Sequence, residues 1–216
     1  MQLPRIKFPK IDHLPWSNVS DGEDSTLAST KCFDHADVVV SEKIDGECSS
    51  LYRDYLHARS LDSGAHLSRT WLKNLHAQVA HKIPEGWRVC GENVFAKHSI
   101  FYKGLPSYFF VFAVYDDSNK CLRWSDTVDF AHQLGLEHVP VLFDGCFDED
   151  EVKKCYTGKS VFGDSEQEGY VVRWSSSICW EAHRGSFAKY VRPGHVQTTH
   201  NWMRQPVVPN KLVERP

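Results

Sequence analysis

Val38-Val39-Val40 opens an extended run to Ile44, and Ser49 to Tyr52 reads as the strand that returns from it. Asp45-Gly46 between them is a turn signal, so the pattern predicts a hairpin with Lys43 at a strand end, just before a tight turn. Leu67, Trp71, Leu75 and Val79 recur every four residues, the stripe of an amphipathic helix starting near Ser63 or Ser68 and stopped by Pro84-Glu85-Gly86. Trp87 to Val94 reads as a strand, and Tyr108 to Tyr115 is an unbroken aromatic and β-branched run long enough for a buried one. Asp117-Ser118-Asn119 turns the chain into Cys121 to Trp124. Ser125 is expected to cap a short helix closed by Gly135, and Asp148 to Tyr156 forms another, with acids first and lysines late as the helix dipole prefers. Gly169 to Trp174 and Phe187 to Val191 supply the last strands, while Ser17 to Thr30 is a loop. Strands predominate and helices are inserted without a βαβ rhythm, which predicts an α+β fold. No internal repeat or low-complexity tract is present, which excludes a solenoid.

The chain has 216 residues, 41% apolar and 25% charged, enough to build the core of one domain. No run approaches the ~18 apolar residues of a membrane span, and no signal peptide opens the sequence. A soluble, cytoplasmic protein is therefore expected. The seven cysteines are odd in number, scattered, and contain no C-x-x-C pair, which argues against a disulfide framework or a structural zinc site. The histidine spacings, at His81, His98 and His195/His200, match no metal motif. Charge is uneven: residues 144–168 hold 3 basic against 8 acidic groups, whereas residues 169–216 hold 7 against 2. That basic end also contains Trp174, Trp180 and Trp202, a mixture suited to a polyanion that offers base faces. Pairing of the basic end with the acidic stretch before it is the alternative.

The sharpest local feature is Glu42-Lys43-Ile44-Asp45-Gly46. A lysine at a strand end can expose its amine at the floor of a groove and act as a nucleophile if neighbouring cations or burial lower its pKa. A surface lysine in a hairpin is the bland alternative. Downstream, in order, come Arg59 in His57-Ala58-Arg59-Ser60, Glu92 in Cys90-Gly91-Glu92-Asn93, Phe112 in Phe109-Phe110-Val111-Phe112, Glu168-Gly169-Tyr170-Val171-Val172, and Lys189 in Phe187-Ala188-Lys189-Tyr190. Each pattern alone is degenerate; six in order are specific. The set resembles the covalent nucleotidyltransferase superfamily of ligases and RNA-capping enzymes, and within it the ATP-dependent RNA ligases of the bacteriophage T4 RNA ligase 2 type. The resemblance covers about residues 38–192. No G-x-x-x-x-G-K-[ST] loop is present, which sets P-loop kinases and ATPases aside.

The resemblance implies an α+β, antiparallel-sheet adenylyltransferase domain, ATP-grasp-like, with inserted helices and no oligonucleotide-binding (OB) domain. Residues 1–216 would form this single domain, with a basic C-terminal extension at 193–216. It implies a ligase that joins 5′-phosphate to 3′-hydroxyl RNA ends, in nicked duplex or single strands, with ATP as AMP donor and Mg2+ or Mn2+ as cofactor. Lys43 would carry AMP as a lysyl phosphoramidate. Glu42, Ile44, Arg59, Glu92, Phe112 and Lys189 would bind the nucleotide, Glu92 by accepting from ribose hydroxyls, Phe112 by stacking on adenine and Lys189 by neutralising phosphate. Glu168 would help hold the metal. Where the superfamily usually has a second lysine, two positions beyond the first, this chain has Val191, followed by Arg192 as a substitute phosphate contact that strand alternation places on the opposite face. The extension, with His195, His200, Trp202 and Arg204, is expected to engage RNA. The alternatives are a nucleotide- or RNA-binding module without turnover and a minimal DNA ligase.

Overall fold

The structure is a computed structural model and describes residues 4–19, 25–195 and 206–214. In chain order its elements are β1 (Asp12–His13), β2 (Asp37–Lys43), β3 (Glu47–Leu51), β4 (Leu56–Ala58), α1 (Thr70–Val79), β5 (Arg88–Asn93), β6 (Phe109–Tyr115), α2 (Trp124–Leu134), β7 (Glu137–His138), β8 (Val141–Cys146), α3 (Glu149–Lys154), β9 (Gly169–Trp174) and β10 (Phe187–Val191), with short 3-10 turns between them. They form two five-stranded sheets, ordered β1-β10-β9-β2-β8 and β4-β3-β5-β6-β7. Pairing is antiparallel except for the edge pairs β1/β10 and β6/β7, which are parallel. The α+β expectation holds.

Alternation along β2 explains its unbroken valine run. Val38 and Val40 pack with Tyr170, Val172 and α3 residue Val152 behind the first sheet. Val39 faces the other way and packs with Ile44, Phe110 and Phe162 between the sheets. Behind the second sheet, Leu51, Phe109 and Val111 are covered by Leu72 and Val79 of α1 and by Ala131 and Leu134 of α2. Arg173 stitches the layers together: it lies on β9, yet donates from Nη1 to the Phe112 carbonyl at 3.1 Å and from Nη2 to the Leu122 carbonyl at 2.8 Å.

Several expectations need correction. The predicted hairpin at Asp45-Gly46 is a crossover, since β2 pairs with β8 and β9 whereas β3 pairs with β4 and β5. Leu67 is exposed in a 3-10 turn ahead of α1, and Leu72 takes its place in the buried stripe. Ser125 lies inside α2, whose N-cap is Arg123 with no side-chain cap, although Gly135 does close the helix in the left-handed conformation at φ 73°. Asp148 caps α3 by accepting from Asp150 N and Glu151 N, as its sequence suggests. Among the described residues no helix is long and apolar enough to cross a membrane.

The end of the chain lies on the second layer. Asn210 accepts from Tyr102 N through Oδ1, donates to the Val94 carbonyl, and its own carbonyl accepts from the Tyr108 hydroxyl. His200, Trp202 and Arg204 of the expected RNA-binding extension lie outside the described residues. His195 is described, and it is not an RNA-facing surface group: its side chain is 2% exposed.

Candidate active site

Lys43 is the last residue of β2, where the chain leaves one sheet for the other. Two local features fix that passage. Asp45 Oδ2 accepts three hydrogen bonds, from Ser99 N, Ser99 Oγ and Ile100 N at 2.7–2.8 Å, while Asp45 N donates to the Tyr102 hydroxyl. Gly46 passes so close to β5 and the residue after it that a Cβ there would meet Asn93 O at 2.7 Å and Val94 Cγ1 at 2.8 Å. The need for glycine is therefore a packing constraint. Opposite Lys43, Gly169 approaches β10 so closely that a Cβ would run into the Tyr190 carbonyl oxygen.

Register places the remaining groups. Lys43 is level with Gly169 and Ser41 with Val171, while Lys189 on β10 is also level with Val171, so Lys43 and Lys189 share one face of the first sheet. On the second sheet Glu92 is level with Phe110, and alternation puts Phe112 on that same face. Phe110 packs with Val39 and Ile44, which identifies this as the face turned towards the first sheet. Motif residues from both layers thus meet in one cleft.

At its centre Lys43 Nζ lies 2.7 Å from Glu168 Oε1; the lysine side chain is 24% exposed and that of Glu168 only 2%. Burial alone would pull the lysine pKa down, but the carboxylates of Glu168, Glu92 and Asp45 outweigh it and hold the amine above the ordinary lysine range. The sequence reading required neighbouring cations or burial to lower this pKa; burial does act in that direction, but the structure surrounds the amine with acids that keep it an ammonium. Glu92 responds in the opposite sense. Burial pushes its carboxyl up to about 8; Lys43 opposes the rise, and Glu168, Asp45 and Glu47 add to it. Glu47 itself is engaged in a two-point pair with Arg69, from Nε at 2.8 Å and Nη2 at 2.5 Å.

Of the other residues singled out from the sequence, Glu42 is 1% exposed; Oε2 accepts from Val161 N at 2.9 Å, and Oε1 has no partner among the described residues. The Ile44 side chain belongs to the core between the sheets, so a nucleotide could meet only its backbone. Phe112 is half-buried and packs edge-on against Phe8, with ring centroids 4.9 Å apart, a contact that sequence reading missed. Arg59 is exposed just beyond β4 and lines an open surface depression together with Lys7, Lys10 and Ser60. Arg192 is held by Glu166 at 2.5 Å, so its guanidinium is not brought into the Lys43 group; only its backbone N–H bonds to the Glu168 carbonyl.

Two histidines near the cleft were not anticipated. Burial lowers the His98 pKa, while Asp45, Glu47 and Glu168 pull it back up, which places this ring among the same acids. His195 Nε2 is 3.4 Å from Glu168 Oε1. The one sequence signal for the latter was Pro193-Gly194, a turn pair directly after the last strand. The donor set can hold a divalent cation: Asp45, Glu168 and His195 each offer one ligand atom within 4.8 Å of the others, and Glu168 Oε2 is buried without a partner among the described residues.

The family model described as RNA ligase matches residues 36–191. Among solved structures, an apo mutant of the Naegleria gruberi RNA ligase superposes with a TM-score of 0.56 at 18% identity, covering 75% of this chain and 51% of that one. Another mutant of that enzyme, with ATP and Mn, gives 0.56 at 16% identity, covering 77% and 52%. A third, with AMP and Mn, gives 0.53 at 17% identity, covering 75% and 51%. At these identities the likeness is one of fold, and the chain spans about half the length of the structures it matches. No curated protein matches the sequence.

Proposed function

The chain belongs to the RNA ligase family, and on that premise we propose that it is an ATP-dependent RNA ligase joining 5′-phosphate to 3′-hydroxyl ends through lysyl-AMP on Lys43 and an RNA-adenylate. The observation that carries this reading is the convergence of Lys43, Glu92 and Glu168 from two sheets on one cleft. The Nζ lone pair attacks the α-phosphorus of ATP, an N–P bond forms, and the P–O bond to pyrophosphate breaks. Before attack the amine must give up a proton, and the nearest acceptor is Glu168 Oε1 at 2.7 Å.

Each remaining group has a task that its placement supports. Glu42 Oε1, which has no partner among the described residues, accepts from the exocyclic amine of adenine, which favours ATP over a guanine nucleotide. Phe112 offers a ring for the base and Glu92 an acceptor for the ribose diol. Lys189, on the face of the sheet that carries Lys43, neutralises phosphate oxygens as charge builds on them. A divalent cation, Mg2+ or Mn2+, held by Asp45 and Glu168 would supply positive charge beside the phosphates. The 5′-phosphate and 3′-hydroxyl RNA ends are the partners this chemistry requires.

Incubation with ATP labelled at the α-phosphate and Mn2+, followed by denaturing electrophoresis, should leave one label per chain. Peptide mass spectrometry should place an added AMP on Lys43, and Lys43→Met should abolish it. Label on a different lysine, or label surviving that substitution, refutes the assignment.

A further inference from the structure

Beyond Val191 the chain turns back over the cleft. Arg192 N donates to the Glu168 carbonyl at 3.0 Å, Gly194 takes a left-handed conformation at φ 72°, and His195 N closes the turn on the Arg192 carbonyl. The turn delivers the His195 imidazole onto Glu168, with its side chain 2% exposed. Its Nε2 lies 3.4 Å from Glu168 Oε1, too far for a good hydrogen bond. Its Nδ1 has no partner among the described residues, and neither has Glu168 Oε2. A buried polar atom without a partner is costly, and each residue of this pair carries one.

We propose that His195 is a nitrogen ligand of the divalent cation site that it forms with Asp45 and Glu168. A cation about 2.1 Å from each of its ligands holds them about 3 to 4.2 Å apart, and the three groups here already lie within 4.8 Å of one another. The set closes as the three side chains draw in around the ion. Glu168 Oε2 is open to the cation while Oε1 still faces Lys43. A nitrogen donor changes which metal the site prefers: all-oxygen sites suit Mg2+, whereas imidazole favours first-row transition ions. The turn after β10 is then a structural part of the metal site, with the Pro193-Gly194 pair setting the reach of its third ligand.

This inference rests on the ligase reading only for the presence of a cation, and the two are tested separately. Lysyl-AMP formation reports on the ligase reading. The ligand assignment is read from Mn2+ bound to the full chain without nucleotide, by titration and by pulsed electron paramagnetic resonance, which detects nitrogen bonded to the ion. The expected result is saturable Mn2+ binding with a directly coordinated nitrogen. In His195→Gln that nitrogen signal disappears, Mn2+ affinity falls about tenfold or more, and Mg2+ affinity changes less, since the amide still offers oxygen. His195→Asn serves if the glutamine variant folds poorly, as judged by circular dichroism. Absence of saturable Mn2+ binding, a bound ion without coordinated nitrogen in the unaltered chain, or a nitrogen signal that survives loss of His195 would each overturn the proposal.

Discussion

Replacing Lys43 with methionine removes half of a buried ion pair as well as the proposed nucleophile, so it should cost folding stability independently of any reaction. Glu168 is 2% exposed, and Lys43 Nζ at 2.7 Å is its charge partner. Two unit charges at that distance attract by about 6 kcal/mol at an effective dielectric constant of 20. Solvent reaches part of the amine, and Glu92 and Asp45 share its charge. The expected loss is therefore about 3 kcal/mol, the lower end of the range for stripping one partner from a buried pair. Glu168→Gln should cost less, about 1–2 kcal/mol, because Lys43 keeps the Asp45 carboxylate and its partial exposure to solvent. The double variant buries neither charge, so its loss should fall short of the sum of the single losses by about 2 kcal/mol. Urea unfolding followed by tryptophan fluorescence, with chelator present, measures all four species. Losses that add to within about 0.5 kcal/mol would refute the reasoning.

Glu92, with a carboxyl at about 8 against an ordinary 4.5, binds a proton in the folded chain that the unfolded chain has lost, so it makes stability fall with rising pH across that window. Glu92→Gln should flatten the pH dependence of the melting temperature between pH 5 and 8; an unchanged profile would mean that Glu92 is ionised throughout. Phe112→Ala should weaken ATP binding by about 1–3 kcal/mol with little loss of stability, whereas the fully buried Phe110, changed to Ala, should cost about 3–5 kcal/mol of folding. Calorimetry and denaturation separate the two, and ATP binding unaffected by Phe112→Ala would place the base elsewhere. Gly169→Ala should loosen the pairing of β9 with β10, because its Cβ has no room beside the Tyr190 carbonyl, and amide exchange in β10 should accelerate.

The parts of this protein that could be read from its sequence are those whose signal is local. β9 and β10 were placed to the residue, because each is rich in β-branched and aromatic residues and has a turn signal on its flank. Glu149–Lys154 was recognisable because Asp148 caps it and its charges follow the helix dipole. β1, β4 and β7, of two or three residues, carry no period and exist only because a neighbour pairs with them. The same distinction runs through the site. Lys43, Glu92 and Glu168 stand out as reactive types in a particular order, but sequence order does not say which sheet each residue joins. Asp45-Gly46 shows why. In a hairpin that pair is selected by the backbone angles of a two-residue turn. Here the glycine is required by Asn93 and Val94, and the aspartate by the amides of residues 99 and 100, all more than forty residues away. A local rule applied to a tertiary constraint gives the right residues and the wrong connection. The carboxylates around Lys43 follow from that connection: only when the chain crosses between sheets at Asp45 do Glu92 of one layer and Glu168 of the other face the same amine. Its charge state is therefore a property of the crossover and cannot be inferred from the lysine's immediate neighbours in sequence.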